Sequence, residues 1–129
     1  MTYCNTRITP VNTDGTEIAT VTGSATVTLW NSVTNFNPLQ HSNVQWFVFY
    51  IEVDANTDNS LVLQYSMDKG ENWTTFSTTA ITNASANEGE VYIGHFEHVR
   101  AQFTAGSTDV DSFVANINIH AGDRSPIGI

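Results

Sequence analysis

The stretch Val44-Gln45-Trp46-Phe47-Val48-Phe49-Tyr50-Ile51-Glu52-Val53-Asp54 decides the fold. Side chains alternate from side to side along an extended chain, so Phe47, Phe49, Ile51 and Val53 share one face. Trp46, Val48 and Tyr50 share the other and make it nearly as apolar. Aromatic and β-branched residues at this density favour a strand over a helix. A strand without a wet face has to be covered twice. Its own core covers one side, and the second cover is expected from another chain.

Period two recurs on both sides of this segment. From Glu17 to Trp30 the sequence alternates with an interruption at Gly23-Ser24; within it Ala25, Val27 and Leu29 oppose Thr26, Thr28 and Trp30. Ser60 to Met67 alternates again, and Trp73 to Ile81 follows after a tight turn. Glu90 to Thr104 reads as one long strand or two joined at Gly94. Val99, Ala101 and Phe103 point inward there, and His98, Arg100 and Gln102 point outward. Ser112 to His120 places Phe113, Ala115, Ile117 and Ile119 inside. No segment sustains a helical period, and Asn-, Asp- and Gly-rich breaks separate the strands. The expectation is all-β: a single antiparallel β-sandwich over 1–129, of jelly-roll topology, with roughly seven to eight strands. The stretch 121–129 reads as an irregular C-terminal tail, since Pro126 and two glycines oppose a strand.

Composition narrows the function. The 129 residues carry 4 Lys+Arg against 13 Asp+Glu, a formal charge of −9, and only 13% are charged. Thr, Asn and Ser replace the missing charge. The length suits one domain, and the spread of apolar residues argues against disorder. Four scattered bases make no footprint for nucleic acid. The longest apolar run, Trp46 to Ile51, is too short to cross a bilayer. Met1-Thr2-Tyr3-Cys4-Asn5 lacks the basic start and apolar core of a secretion signal, so folding in a cytoplasm is expected. Cys4, the one cysteine, reads as a free thiol.

Candidate chemistry is sparse. Asp54-Ala55-Asn56-Thr57-Asp58-Asn59 alternates oxygen-bearing residues as in the first half of a calcium loop. Asn59 stands where glycine belongs and Tyr65 where glutamate belongs, so the segment reads as an Asx-rich turn. His41, His95, His98 and His120 have no metal-ligand spacing; His95 and His98 fall on opposite faces of a strand. No nucleophile elbow, phosphate loop or zinc-protease motif is present. The pairs Asp109/Asp111 and Glu88/Glu90 read as solvated loop acids. No catalytic residue, cofactor or metal is assigned, and the chain is read as not an enzyme. Trp30, Trp46, Trp73 and Tyr92 are the aromatics available as flat platforms for a sugar.

Ser66-Met67-Asp68-Lys69-Gly70-Glu71-Asn72-Trp73 resembles the Asp-box pattern S-x-D-x-G-x-x-W of sialidases and other β-propellers. Ser66, Asp68, Gly70 and Trp73 match it. It occurs once, and Arg7, Arg100 and Arg124 make no arginine cluster, so it reads as a structural hairpin. Asp68 is expected to accept turn N–H groups, Gly70 to supply positive φ, and Trp73 to cover the corner.

Two longer phrases, Leu61-Val62-Leu63-Gln64-Tyr65-Ser66-Met67-Asp68-Lys69-Gly70-Glu71-Asn72-Trp73 and Tyr92-Ile93-Gly94-His95-Phe96-Glu97-His98-Val99-Arg100-Ala101-Gln102-Phe103-Thr104, resemble the small jelly-roll virion proteins of tailed phages. Those are capsid decoration proteins, head fibres and tail adaptors. The resemblance implies a symmetric homo-oligomer, a trimer being favoured, seated on a major capsid or other virion protein. It implies neither cofactor nor catalysis; the composition above gives no nucleic-acid or membrane partner. The expected function is a capsid decoration (cement) or head-fibre protein, located in the virion after assembly in the host cytoplasm. Trp46, Val48, Tyr50, Ile127 and Ile129 are its interface candidates. The alternative is a carbohydrate-binding module or a receptor-binding tip.

Overall fold

Alternating strands become a sandwich when two sheets bury their apolar sides against each other. The computed structural model describes residues 4–34, 45–84, 86–94 and 96–121. Eight strands form: β1 (Cys4–Ile8), β2 (Thr26–Asn31), β3 (Gln45–Val53), β4 (Asn59–Ser66), β5 (Thr74–Ile81), β6 (Asn87–Tyr92), β7 (His98–Thr104) and β8 (Phe113–Ala121). They make two four-stranded sheets, ordered β1-β8-β3-β6 and β2-β7-β4-β5. Every pairing is antiparallel. The chain changes sheet at each step except between β4 and β5, which pair directly as a hairpin. This is the jelly roll. No helix in the described residues is long and apolar enough to cross a membrane.

The core lies between the sheets. Phe47, Phe49 and Ile51 of β3 and Phe113, Ala115, Ile117 and Ile119 of β8 face Leu61, Leu63, Val99, Ala101 and Phe103 of the second sheet, all buried. The Phe103 and Phe113 rings meet across the middle at 4.8 Å. A smaller aromatic group closes one end, with Tyr65 stacked on Phe96 at 4.5 Å and Phe76 against Phe96 at 4.6 Å.

The strands differ locally from the alternation, and of the two readings of Glu90 to Thr104 the second, two strands meeting around Gly94, is the one found. The segment from Glu17 to Trp30 is not one interrupted strand. Between β1 and β2 the ladder contacts among the described residues are isolated bridges, Val11 to Glu17 and Val21 to Val110, and Ser24 turns through a positive φ of 63°. Within β2 the register slips between Thr28 and Trp30. That bulge puts Leu29 and Trp30 both inside, so Trp30 is 1% exposed rather than beside the threonines. The stretch from Glu90 to Thr104 divides into β6 and β7, which belong to opposite sheets. A further strand, β1, pairs with β8 although its residues show little apolar alternation. β8 itself runs through Ala121, the first residue of the expected tail. Ile127 and Ile129 lie outside the described residues, as do His41 and His95.

The Asx-rich turn after β3 ties the loops together at one end. Asn59 is buried and donates to the carbonyls of Ala55 and Ile81 while its Oδ1 accepts from Gly106 N. Asn56 exchanges two bonds with the Thr108 backbone, and Asp54 accepts from Asp111 N. These oxygens are therefore turned toward N–H groups. Among the described residues no group of three or more His, Cys, Asp or Glu could hold a metal ion.

Candidate binding faces

Each sheet has an outer face, and the registers fix what stands on it. On the first sheet, Trp46 of β3 lies between Tyr92 of β6 and His120 of β8. The next outward row is Glu90, Val48, Asn118 and Arg7, and the next is Glu88, Tyr50 and Asn116. Trp46, Val48, Tyr50 and Tyr92 are all half-buried. The Trp46 and Tyr92 rings meet edge to face at 5.1 Å. The Trp46 indole N–H is shielded from solvent and has no acceptor among the described residues. The Tyr50 hydroxyl donates to Glu52 Oε1 at 2.6 Å, and Arg7 donates to Asn116 Oδ1 at 2.9 Å. That bond to Glu52 raises the Tyr50 pKa, helped by burial and by the charges of Glu52 and Glu88. An aromatic strip thus runs along this sheet, with Arg7 on one margin and Glu88 and Glu90 on the other.

The second sheet presents a different surface. Its outward rows pair Thr26 with Thr104 and Ser60, and Thr28 with Gln102, Val62 and Thr78. The last row runs Asn31, Arg100, Gln64 and Thr75. Cross-strand bonds run within the rows: Thr26 to Thr104 at 2.7 Å, Gln102 Nε2 to Thr28 at 3.2 Å, and Gln64 Nε2 to Thr75 at 3.0 Å. Arg100 is the one charged side chain in these rows.

The hairpin between β4 and β5 sits at the end of this face. Ser66 Oγ donates to Asp68 Oδ1 at 2.7 Å and accepts from Gly70 N at 2.8 Å. Asp68 also accepts from the backbone and side-chain amides of Asn72, at 2.8 and 2.6 Å. The bonds from Asn72 and Ser66 hold the Asp68 pKa down, to about 2. Gly70 has φ +93°, and a Cβ there would press on Val33 and Trp73 at 3.3 and 3.4 Å. Trp73 is thereby fixed beside the turn, with the Arg100 guanidinium 4.6 Å above its ring.

Of the four candidate platforms, Trp30 is lost to the core, Trp46 and Tyr92 stand together, and Trp73 belongs to the other face. The partnership of Trp73 with Arg100 joins residues 27 positions apart in sequence. Equal parity of Gln64 and Arg100 was the available signal, but strand order, which makes them neighbours, is not written in local sequence.

No protein-family model matches the chain, and no curated protein matches it. Solved structures do. The chain is similar to PBSX exported protein XepA, with TM-score 0.63 and 14% identity over 95% of this chain and 50% of that one. It therefore spans half of that protein's length. It is also similar to a structure described under "Bacillus endospore appendages form a novel family of disulfide-linked pili", with TM-score 0.53 and 12% identity over 95% and 90% of the two chains. A third is the Yersinia pseudotuberculosis-derived mitogen, with TM-score 0.50 and 12% identity over 98% and 91%. At these identities the likeness establishes the sandwich fold.

Proposed function

We propose that the protein is a structural, non-catalytic subunit of a virion, a capsid decoration (cement) or head-fibre protein that associates with copies of itself and docks on a larger shell. The observation that carries this reading is the outer strip of Trp46, Val48, Tyr50 and Tyr92 along the β1-β8-β3-β6 sheet. Half-buried aromatic and aliphatic side chains along one strand favour burial by a neighbour. The occupant is a second copy. Arg7 lies on one margin of the strip and Glu88 and Glu90 on the other, so a neighbouring copy turned about an axis along the strands brings opposite charges together. The likeness to a pilus-forming appendage protein supports an assembling sandwich at the level of fold. The net charge of −9 keeps the free subunit soluble before assembly.

Light scattering on the purified chain tests this reading. The expected mass is that of several chains, three being favoured. Val48→Glu and Trp46→Ala should return it to one chain while leaving the circular dichroism of the sandwich in place. A single-chain mass for the unaltered protein, with no affinity for any shell, overturns the proposal.

A further inference from the structure

The Asp-box hairpin and the arginine above its tryptophan are used neither by the core nor by the Trp46 strip. We propose that they build a carboxylate-binding subsite on the outer face of the β2-β7-β4-β5 sheet, centred on Arg100, that takes a sugar unit bearing a carboxylate. The subsite is on the opposite side of the sandwich from the assembly strip, and does not depend on it.

Three observations carry this. First, Arg100 is pre-positioned. Its guanidinium rests 4.6 Å over Trp73, and its Nε donates to Gln64 Oε1 at 2.7 Å. Gln64 is itself oriented, because its amide nitrogen donates to Thr75. A chain of fixed groups therefore runs from the hairpin through Trp73 to the guanidinium, whose flexibility would otherwise cost affinity. Second, only part of the guanidinium is engaged among the described residues. Burial lowers the Arg100 pKa. Nε is its only nitrogen with a hydrogen-bond partner among the described residues. The terminal nitrogens remain for a planar, two-oxygen acceptor, which is the shape of a carboxylate.

Third, the surroundings suit a polyhydroxylated ligand. Thr75 and Thr28 each accept a bond from a glutamine amide, so each keeps its hydroxyl proton for an outside acceptor. Gln102 keeps its amide oxygen as an acceptor. Uncharged donors and acceptors around one cation match a single acid group on a sugar. A polyanion would be repelled by a chain of net charge −9.

The test titrates the full chain with glucuronate- and sialate-terminated oligosaccharides and with their methyl esters, following Trp fluorescence and calorimetric heat. Binding of the acids is expected to weaken about tenfold or more on esterification, and equally with Arg100→Gln. Arg100→Lys keeps the charge but not the fork, and should recover only part of it. The ester comparison uses the unaltered protein, so it stands even if a variant folds poorly. Equal binding of acid and ester, or no binding of either, overturns the proposal. So does a change in assembly mass with Arg100→Gln in the absence of sugar binding, which would assign the guanidinium to a protein carboxylate.

Discussion

The two outer faces of the sandwich obey the same alternation and enclose the same core, yet differ in chemistry. The face of β3 carries Trp46, Val48, Tyr50 and Tyr92 between an arginine margin and a glutamate margin. The face of β7 carries threonines and glutamines, bonded strand to strand, around one arginine. An aromatic strip gains free energy by excluding water and is indifferent to the fine placement of its cover. A hydrogen-bonded lattice gains little from burial as such and discriminates by geometry. The first face therefore suits adhesion to a copy, the second recognition of a small polar group.

The comparison breaks most completely at the shared core. Phe103→Ala removes the ring that meets Phe113 between the sheets and should cost about 3–5 kcal/mol. Thermal melts followed by far-ultraviolet circular dichroism and by Trp fluorescence should then shift together. If the two signals separate, the faces belong to units that unfold independently.

Acid should affect the two faces unequally. The Asp68 carboxylate is held at a pKa of about 2 by Asn72 and Ser66, below its value in the unfolded chain. A depressed carboxylate adds stability that is present above the unfolded pKa and is lost as the pH falls from about 4 through 2. Local loosening at Trp73 should appear over that interval, and Asp68→Asn should remove that part of the pH dependence. The Trp46 end of the opposite sheet should be untouched. A pH profile identical in the variant contradicts the assignment.

The smallest effect is expected within the polar lattice. Thr28→Val deletes an exposed hydroxyl that accepts from Gln102, and stability should change by no more than about 0.5 kcal/mol. A larger loss in chemical denaturation would mean that the lattice stabilises the fold as well as shaping its surface.

Much of this division was legible in the chain. The parity of Phe47, Phe49 and Ile51 against Trp46, Val48 and Tyr50 follows from extended geometry alone, as does that of Val99, Ala101 and Phe103 against Arg100. The Asp-box spacing located the hairpin because its hydrogen bonds are local. Trp30 was misplaced because one extra residue at Leu29 reverses parity, and a bulge answers to partner strands rather than to its own sequence. β1 went unread because Cys4-Asn5-Thr6-Arg7-Ile8 has little apolar alternation; pairing with β8 holds it in place. The Arg100 platform needed β4 between β5 and β7, and that order comes from long-range packing.

The β4–β5 hairpin is also the one place in the described residues where consecutive strands pair. Every other ladder joins distant segments, from β1 with β8 to β2 with β7. Loop closure over such separations makes folding slow, and the hairpin is the natural first step. On a ribosome the consequence is sharper. Neither sheet can close until β7 and β8 have been synthesised, so β3 must wait with both its apolar sides bare, the segment of the nascent chain that a chaperone would hold.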